Sequence, residues 1–335
     1  MKSKTIDRIS RSTIPAEDIS AILEESKTVL VVSHVDPDGD ALGTQLAFAT
    51  FLRKNGKKVY LVKEDEIPEK YLFLPGLDKI NHIHDFTDGL SADAAVVLEC
   101  PKISRAGNII KKLNENCRII NIDHHQDNEG FGEINWIDQK ASSVGEMVCE
   151  YFDAVGYEID QDSAVQLYTA ILTDTGRFRY NSTSARTMVI AGKLIEAGAD
   201  PRIICDQLYY NLPVATIKLI GHALDRAEFV SDGKVCILSL GKEEIRKKGA
   251  RLSDTEGLAE YTLYGKGVEV GILLKEGDDG ITRVSLRSRG EINVADLAAK
   301  FEGGGHPCAA GCSIEKNIDE AKQVLLKALA EMTNA

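Results

Sequence analysis

The segment His34-Val35-Asp36-Pro37-Asp38-Gly39-Asp40 gathers an imidazole and three carboxylates directly after a short apolar run, Val29-Leu30-Val31-Val32. That run is β-branched and uninterrupted, the pattern of a strand buried on both faces. Carboxylates crowded at its end repel one another, and a divalent cation removes that cost. Mixed nitrogen and oxygen donors suit manganese, iron, zinc or magnesium. The competing reading is an acidic loop in which Asp40 merely caps the helical pattern running from Ala41 to Leu52. A second cluster, Asp123-His124-His125, closes another strand-like run, Cys117-Arg118-Ile119-Ile120-Asn121-Ile122. Adjacent histidines on extended chain point to opposite sides, so only one of the two can share a given ligand plane. A third run, Asp93 to Leu98, ends at Glu99, and an apolar helical stretch starting near Asp162 ends at Asp174. Four separate segments thus end in a side chain able to bind metal. Open α/β sheets place their sites at the carboxyl ends of strands, and the recurrence fits that rule.

The elements needed to position these residues are legible as an alternation. Strand-like runs at 28–33, 57–63, 93–98 and 117–122 alternate with helical patterns at 41–55, 105–116, 143–155 and 162–173. This predicts an α/β fold, with a mostly parallel sheet flanked by helices. Residues 185–227 read as nearly continuous helix in three segments, Thr187–Ala197, Pro201–Tyr209 and Val214–Ala227. A second, smaller α/β pattern follows, with strands at Val235–Leu240, Val268–Leu274 and Ile281–Arg287. It closes with an amphipathic helix carrying Ile318, Ala321, Leu325, Ala328 and Met332. The expected organisation is a first domain over 1–185, a helical linker over 186–227 and a second domain over 228–335, with a cleft between the two.

Composition narrows the function classes. A chain of 335 residues with 43% hydrophobic content suggests two cored domains. No stretch approaches the ~18 uninterrupted apolar residues of a membrane span, and the first residues lack a secretory pattern. The seven cysteines are scattered and form no CxxC pair, so reduced thiols and a cytoplasmic location are expected. A net charge of −12 disfavours tracking along duplex or other long nucleic acid, while a small phosphate-bearing substrate needs only a few local cations. In the second domain, strand alternation sets Arg283, Ser285, Arg287 and Arg289 on one face and Val284 and Leu286 on the other. That face reads either as solvated sheet or as a phosphate reader. The nearby Gly303-Gly304-Gly305-His306 favours the latter, because glycines let backbone N–H groups approach an anion.

Taken together, the stretch from His34 to Gly43-Thr44, the acid Glu99, the tripeptide Asp123-His124-His125, Asp174 and the glycine-rich Gly303–His306 resemble the DHH phosphoesterase superfamily with its DHH-associated C-terminal domain. The short two-domain layout is most similar to the nanoRNase/pAp phosphatase group. The resemblance implies two divalent metals, expected to be manganese, and hydrolysis of a phosphate ester by a metal-activated water. The implied substrates are short RNA oligonucleotides or 3′-phosphoadenosine 5′-phosphate. By the family pattern, His34 and Asp38 hold one metal, Asp40, His124 and Asp174 a second, and the acid at position 99 bridges them. Asp36 is read as a non-ligand, His125 as facing the substrate phosphate, and Asp123 as orienting a histidine. Arg287 and His306 are assigned to the terminal phosphate, with Gly303, Gly304 and Gly305 beside them. Arg105 is a further candidate for the phosphate, with an exposed helix start as its alternative. The family acid at position 99 is normally Asp, and here it is Glu. This departure keeps open a nucleotide-binding regulator without catalysis, beside the enzyme reading and its relatives acting on cyclic or linear dinucleotides. The resemblance also suggests a homodimer.

Overall fold

The structure, a computed structural model, describes residues 14–87, 89–255, 257–277 and 279–333, and the chain divides after Asn211 into two units. In the first unit, β1 (Thr28–Val32), β2 (Lys58–Lys63), β3 (Asn81–His82), β4 (Ala94–Leu98), β5 (Arg118–Asp123) and β6 (Ile134–Ile137) form one sheet. All pairings are parallel, in the order β3-β2-β1-β4-β5-β6. Chain progression reverses between β1 and β4. At such a switch point the connections leave to opposite sides and open a crevice beyond the carboxyl ends of the strands. The two central strands are buried almost throughout, which explains why they read as continuous apolar runs rather than alternating ones.

The helices of this unit are α1 (Ala16–Glu25), α2 (Gly39–Lys54), α3 (Val144–Ala154), α4 (Gln161–Asp174), α5 (Ala185–Glu196) and α6 (Pro201–Tyr209). They share a core with the sheet face carrying Val29, Val31, Val96, Leu98, Ile120 and Ile122. The opposite face, with Leu30, Val32, Ala95 and Val97, is covered by Ile83, Leu90, Ala106 and Ile109 from loops and 3₁₀ turns. The helix expected over 105–116 is one of these irregular covers. It forms two 3₁₀ turns, Ile103–Ala106 and Asn108–Lys112, separated by Gly107 at φ 83° and ψ −169°. That conformation suits glycine, and a Cβ there would lie 2.5 Å from the Glu64 carboxylate, which accepts the Ile109 N–H at 2.9 Å.

Close helix packing depends on two further glycines. A Cβ on Gly43 of α2 would sit 2.3 Å from the Gln166 carbonyl of α4, and one on Gly39 would strike Thr173. With only hydrogens at these points, the two helices approach backbone to backbone.

In the second unit, α7 (Val214–Asp225), β7 (Glu228–Val230), β8 (Val235–Leu240), α8 (Lys242–Lys247), β9 (Val270–Glu276), β10 (Thr282–Ser288), α9 (Val294–Ala299), β11 (Gly304–His306), β12 (Ala309–Ile314) and α10 (Ile318–Thr333) follow in order. The sheet order is β11-β12-β10-β9-β8-β7, antiparallel except for β8 with β9. Helices α9 and α10 cover the face bearing Val284 and Leu286. On the other side, α7 and α8 pack against Leu238, Leu240 and Leu273. The helical stretch 186–227 is divided between the units. Ile190, Leu194, Ile204 and Leu208 of α5 and α6 join the first core, whereas Leu219 and Ala223 of α7 join the second.

Candidate metal centre and phosphate-binding face

Three strand ends and two helix ends converge in the first unit. His34 follows β1, Glu99 follows β4, and Asp123 closes β5 with His124 and His125 just beyond it. Asp38 is the N-cap of α2, accepting the Ala41 N–H at 3.0 Å, so the capping role weighed for Asp40 belongs to its neighbour. Asp40 lies in the first turn of α2 and points across to α3. Its carboxylate accepts the N–H groups of Val144 at 2.6 Å and Gly145 at 2.8 Å. Asp174 ends α4. Asp36 is exposed at φ 55°, with its N–H bonded to Asp65, outside the cluster.

Donor atoms of His34, Asp38 and Glu99 lie within 4.8 Å of one another, and so do those of Asp40, Glu99 and His124. Glu99 belongs to both groups. The histidines show why a cation fits here. His34 Nδ1 lies 2.7 Å from the Val35 carbonyl and His124 Nδ1 lies 3.1 Å from the Ala141 carbonyl. A carbonyl only accepts, so each Nδ1 carries the proton, and in the neutral ring Nε2 offers a lone pair. Those lone pairs face carboxylate oxygens: His34 Nε2 is 3.4 Å from Glu99 Oε2, and His124 Nε2 is 3.3 Å from Asp174 Oδ2. Electron-rich atoms opposed in this way attract a positive ion between them.

Electrostatics point the same way. Burial, reinforced by the charges of Asp38 and Asp40, pushes the Glu99 carboxyl well above the usual range. Burial, then Asp174 and Asp38, does the same to Asp40 against the pull of its two backbone donors. Glu99 Oε2 is buried and makes no hydrogen bond among the described residues. A divalent cation would satisfy that oxygen and the repelling carboxylates together, so the residues fit a metal. Glu99 itself stands at φ 54°. Left-handed backbone is costly for a long side chain and is found at functional sites more than elsewhere.

The adjacent histidines differ in chemistry. Strand β5 ends at Asp123, so strict alternation does not extend to them, and their ring centroids are 5.2 Å apart at 73°. Burial and the neighbouring His125 charge lower the pKa of His124, keeping it neutral as a ligand must be. Burial also opposes charge on His125, but the 2.8 Å hydrogen bond to Asp123 outweighs it and raises its pKa. Asp123 is correspondingly held low despite burial, by His125 and by Asn128, whose Nδ2 donates at 2.6 Å. Asn128 was not singled out in the sequence; its Asx-type role in the loop beyond β5 is a tertiary contact. Arg105 is exposed on its 3₁₀ turn, and its carbonyl accepts the Val35 N–H at 2.8 Å, a main-chain tie to the loop carrying His34. Burial pushes the thiol of Cys100, next to Glu99, up to about 12, which disfavours the nucleophilic thiolate.

Within the second unit, the arginines separate into different roles. Arg283 pairs with Asp279 at 2.8 Å, and Arg289 donates to the carbonyls of Val268 and Leu263 at 2.7 and 2.5 Å. Arg287 is half-buried; its NH1 donates to the Leu286 carbonyl at 3.0 Å, and its Nε lacks a hydrogen bond among the described residues. In register, Arg287 of β10 lies opposite Ala309 of β12, which lies opposite His306 of β11. Directly opposed residues share a face, so Arg287 and His306 flank the small Ala309 across ~10 Å, two strand spacings. The glycines divide as well. A Cβ on Gly303 would meet the Gly311 carbonyl at 2.2 Å, and one on Gly305 would meet the Ala309 carbonyl at 2.5 Å. Both are therefore required by the hairpin itself. Gly304 has open space above it, on the same face as Arg287.

Comparison with known proteins decides the family. Residues 28–173 match the DHH family N-terminal domain and residues 232–334 the DHHA1 domain. The chain belongs to the DHH family. It is 31% identical to the bifunctional oligoribonuclease and PAP phosphatase NrnA of Thermus thermophilus over 90% of this chain and 89% of the relative. It is 29% identical to the Bacillus subtilis protein of the same name, over 89% and 92%. Among solved structures, an exopolyphosphatase-related protein from Bacteroides fragilis superposes with a TM-score of 0.88 at 30% identity, covering 94% of this chain and 95% of that one. No helix among the described residues of this DHH protein is long and apolar enough to cross a membrane.

Proposed function

We propose that this chain is a metal-dependent phosphoesterase that hydrolyses short oligoribonucleotides and removes the 3′-phosphate of 3′-phosphoadenosine 5′-phosphate. The observation that carries the reading is the pair of histidine lone pairs facing the carboxylates of Glu99 and Asp174, with Glu99 shared between two groups of donors. His34, Asp38 and Glu99 would hold one divalent ion, and Asp40, Glu99, His124 and Asp174 a second, with manganese suited to the mixed donors. Such ions supply a water of lowered pKa and neutralise charge developing on the phosphoryl oxygens.

The chain's own residues do the rest. Asp123 fixes the proton on His125 Nδ1 and stabilises the imidazolium, so His125 Nε2 presents a positive donor to a phosphate oxygen or to the departing oxygen. His124, kept neutral beside it, is left to bind metal. Neighbouring histidines with opposite shifts divide the work of ligand and acid. In the second unit, Arg287 supplies a forked donor, His306 a second polar group, and Gly304 an uncovered backbone for a terminal phosphate. One such subsite recognises a chain end rather than an extended backbone, in keeping with the net charge of −12.

The test is hydrolysis of a labelled RNA ladder, from dinucleotide upward, together with adenosine 3′,5′-bisphosphate, in manganese and in chelator. Manganese-dependent turnover falling with length is expected. Tight nucleotide binding without turnover would assign the chain to the regulator class instead.

A further inference from the structure

Arg186, at the start of α5, touches neither set of candidate ligands, yet it is held by three acids from two other elements. Its NH1 donates to Asp138 Oδ2 at 3.0 Å, its Nε lies 2.9 Å from Glu146 Oε1, and its NH2 contacts Glu150. The guanidinium is 11% exposed and Glu146 is fully buried. An arginine fork gripping carboxylates on separate elements fixes their spacing in a way that an exposed pair does not.

What those carboxylates do gives the arrangement its meaning. Asp138 begins the loop between β6 and α3. Its N–H bonds the Asp123 carbonyl at 3.0 Å, its carbonyl accepts from Ala141 at 2.9 Å, and its Oδ1 accepts from Lys140 at 3.0 Å. Glu146 accepts the Ser142 hydroxyl at 2.6 Å. Between these two anchors lie the Ala141 carbonyl that takes the His124 Nδ1 proton and the Val144 and Gly145 N–H groups that hold Asp40. One segment, 138–146, therefore orients two candidate ligands from behind, and Arg186 clamps it at both ends.

We infer that Arg186 is a positioning residue for the metal centre, setting through Asp138 and Glu146 the carbonyl that orients His124 and the amides that orient Asp40. The inference rests on the two-metal reading above and adds a residue outside the family motifs. Groups that orient ligands in this way cost about 10–100-fold in metal affinity when removed.

The experiment is calorimetric titration of the metal-stripped full chain with Mn2+, at a temperature where each variant is folded by circular dichroism, alongside thermal melting in chelator. Arg186→Met and Asp138→Asn should raise the manganese Kd about 10–100-fold, with turnover recovering as manganese is increased. Arg186→Lys, able to pair with one acid at a time, should fall between. Arg202→Met, at an exposed arginine on α6, should leave Kd unchanged. Should Arg186→Met not fold, the lysine and Asp138→Asn variants read the same quantity. A lowered melting temperature with Kd within about twofold of wild type would make the clamp merely structural and overturn the inference. A wild-type chain that binds no manganese would instead remove the metal reading and this inference with it.

Discussion

Metal-free protein should lose stability as pH rises from the weakly acidic range, and Glu99→Gln should remove a defined part of that loss. Glu99 is fully buried, and burial together with Asp38 and Asp40 raises its pKa above the ordinary carboxylate value of 4.5. In the unfolded chain the same carboxyl ionises near its ordinary value. Below that point both states are protonated, and the full stability is present. Between 4.5 and the raised folded value, the native state keeps a proton that the unfolded state has lost, so stability falls with rising pH. One retained proton gives a slope of about 1.4 kcal/mol per pH unit. Asp40, raised by burial and by Asp174, contributes in the same direction and remains in the variant. Wild type minus Glu99→Gln should therefore differ in slope by about 1.4 kcal/mol per pH unit, or ~3–6 °C in melting temperature for a unit of this size. Urea titrations in chelator at half-unit steps upward from pH 4.5 measure it. Saturating manganese should abolish the difference in the wild type, because the ligands are then deprotonated at every step. Equal slopes for wild type and variant in chelator would refute the argument that the acid at position 99 is buried against its own charge.

Two other outcomes test the assignment of roles. Asp174→Ala should reduce turnover by about a thousandfold or more while the melting temperature in chelator stays level or rises, since one of the repelling carboxylates is gone; steady-state assays and melting curves decide it. Arg287→Ala should raise KM by about 10–100-fold with little change in kcat, the size of a charged hydrogen bond, whereas Arg283→Ala, already paired with Asp279, should change neither.

The strands bearing the candidate ligands were legible because burial on both faces forces a continuous β-branched run, as in Val29–Val32 and Ala94–Leu98. Helix α6 begins and ends where its Asp200-Pro201 cap and apolar spacing place it. Other elements were hidden for physical reasons. Helix α1 lacks a side-chain cap after Pro15, and β6 is a four-residue edge strand too short for a period. The 105–116 segment has helical spacing, but Gly107 and its contact with Glu64 break it. Within the site, residue types announced the candidate ligands, yet the sequence could not show that β5 stops at Asp123 and frees both histidines from strand alternation. The arginine stripe on β10 follows from a period of two. That Arg289 spends two donors on the carbonyls of Val268 and Leu263, while Arg287 spends one on its neighbour Leu286 and keeps Nε uncommitted, follows only from what the rest of the unit packs against them. Arg186 gives no local signal at all, because its meaning lies in three acids from two other elements.

The glycines between α2 and α4 make the site's dimensions a property of the main chain. Asp40 rides on one of these helices and Asp174 ends the other, and Gly43 sets how near they come by offering the Gln166 carbonyl no side chain to rest on. The gauge of the candidate ion cradle is thus cut into the backbone. Magnesium wants oxygens at ~2.0–2.1 Å, and larger cations accept longer bonds. A single methyl at position 43 would act as a shim between the helices, widening the bite without altering any ligand. Selectivity among cations could then drift through a change at an uncharged position, leaving every candidate ligand in place.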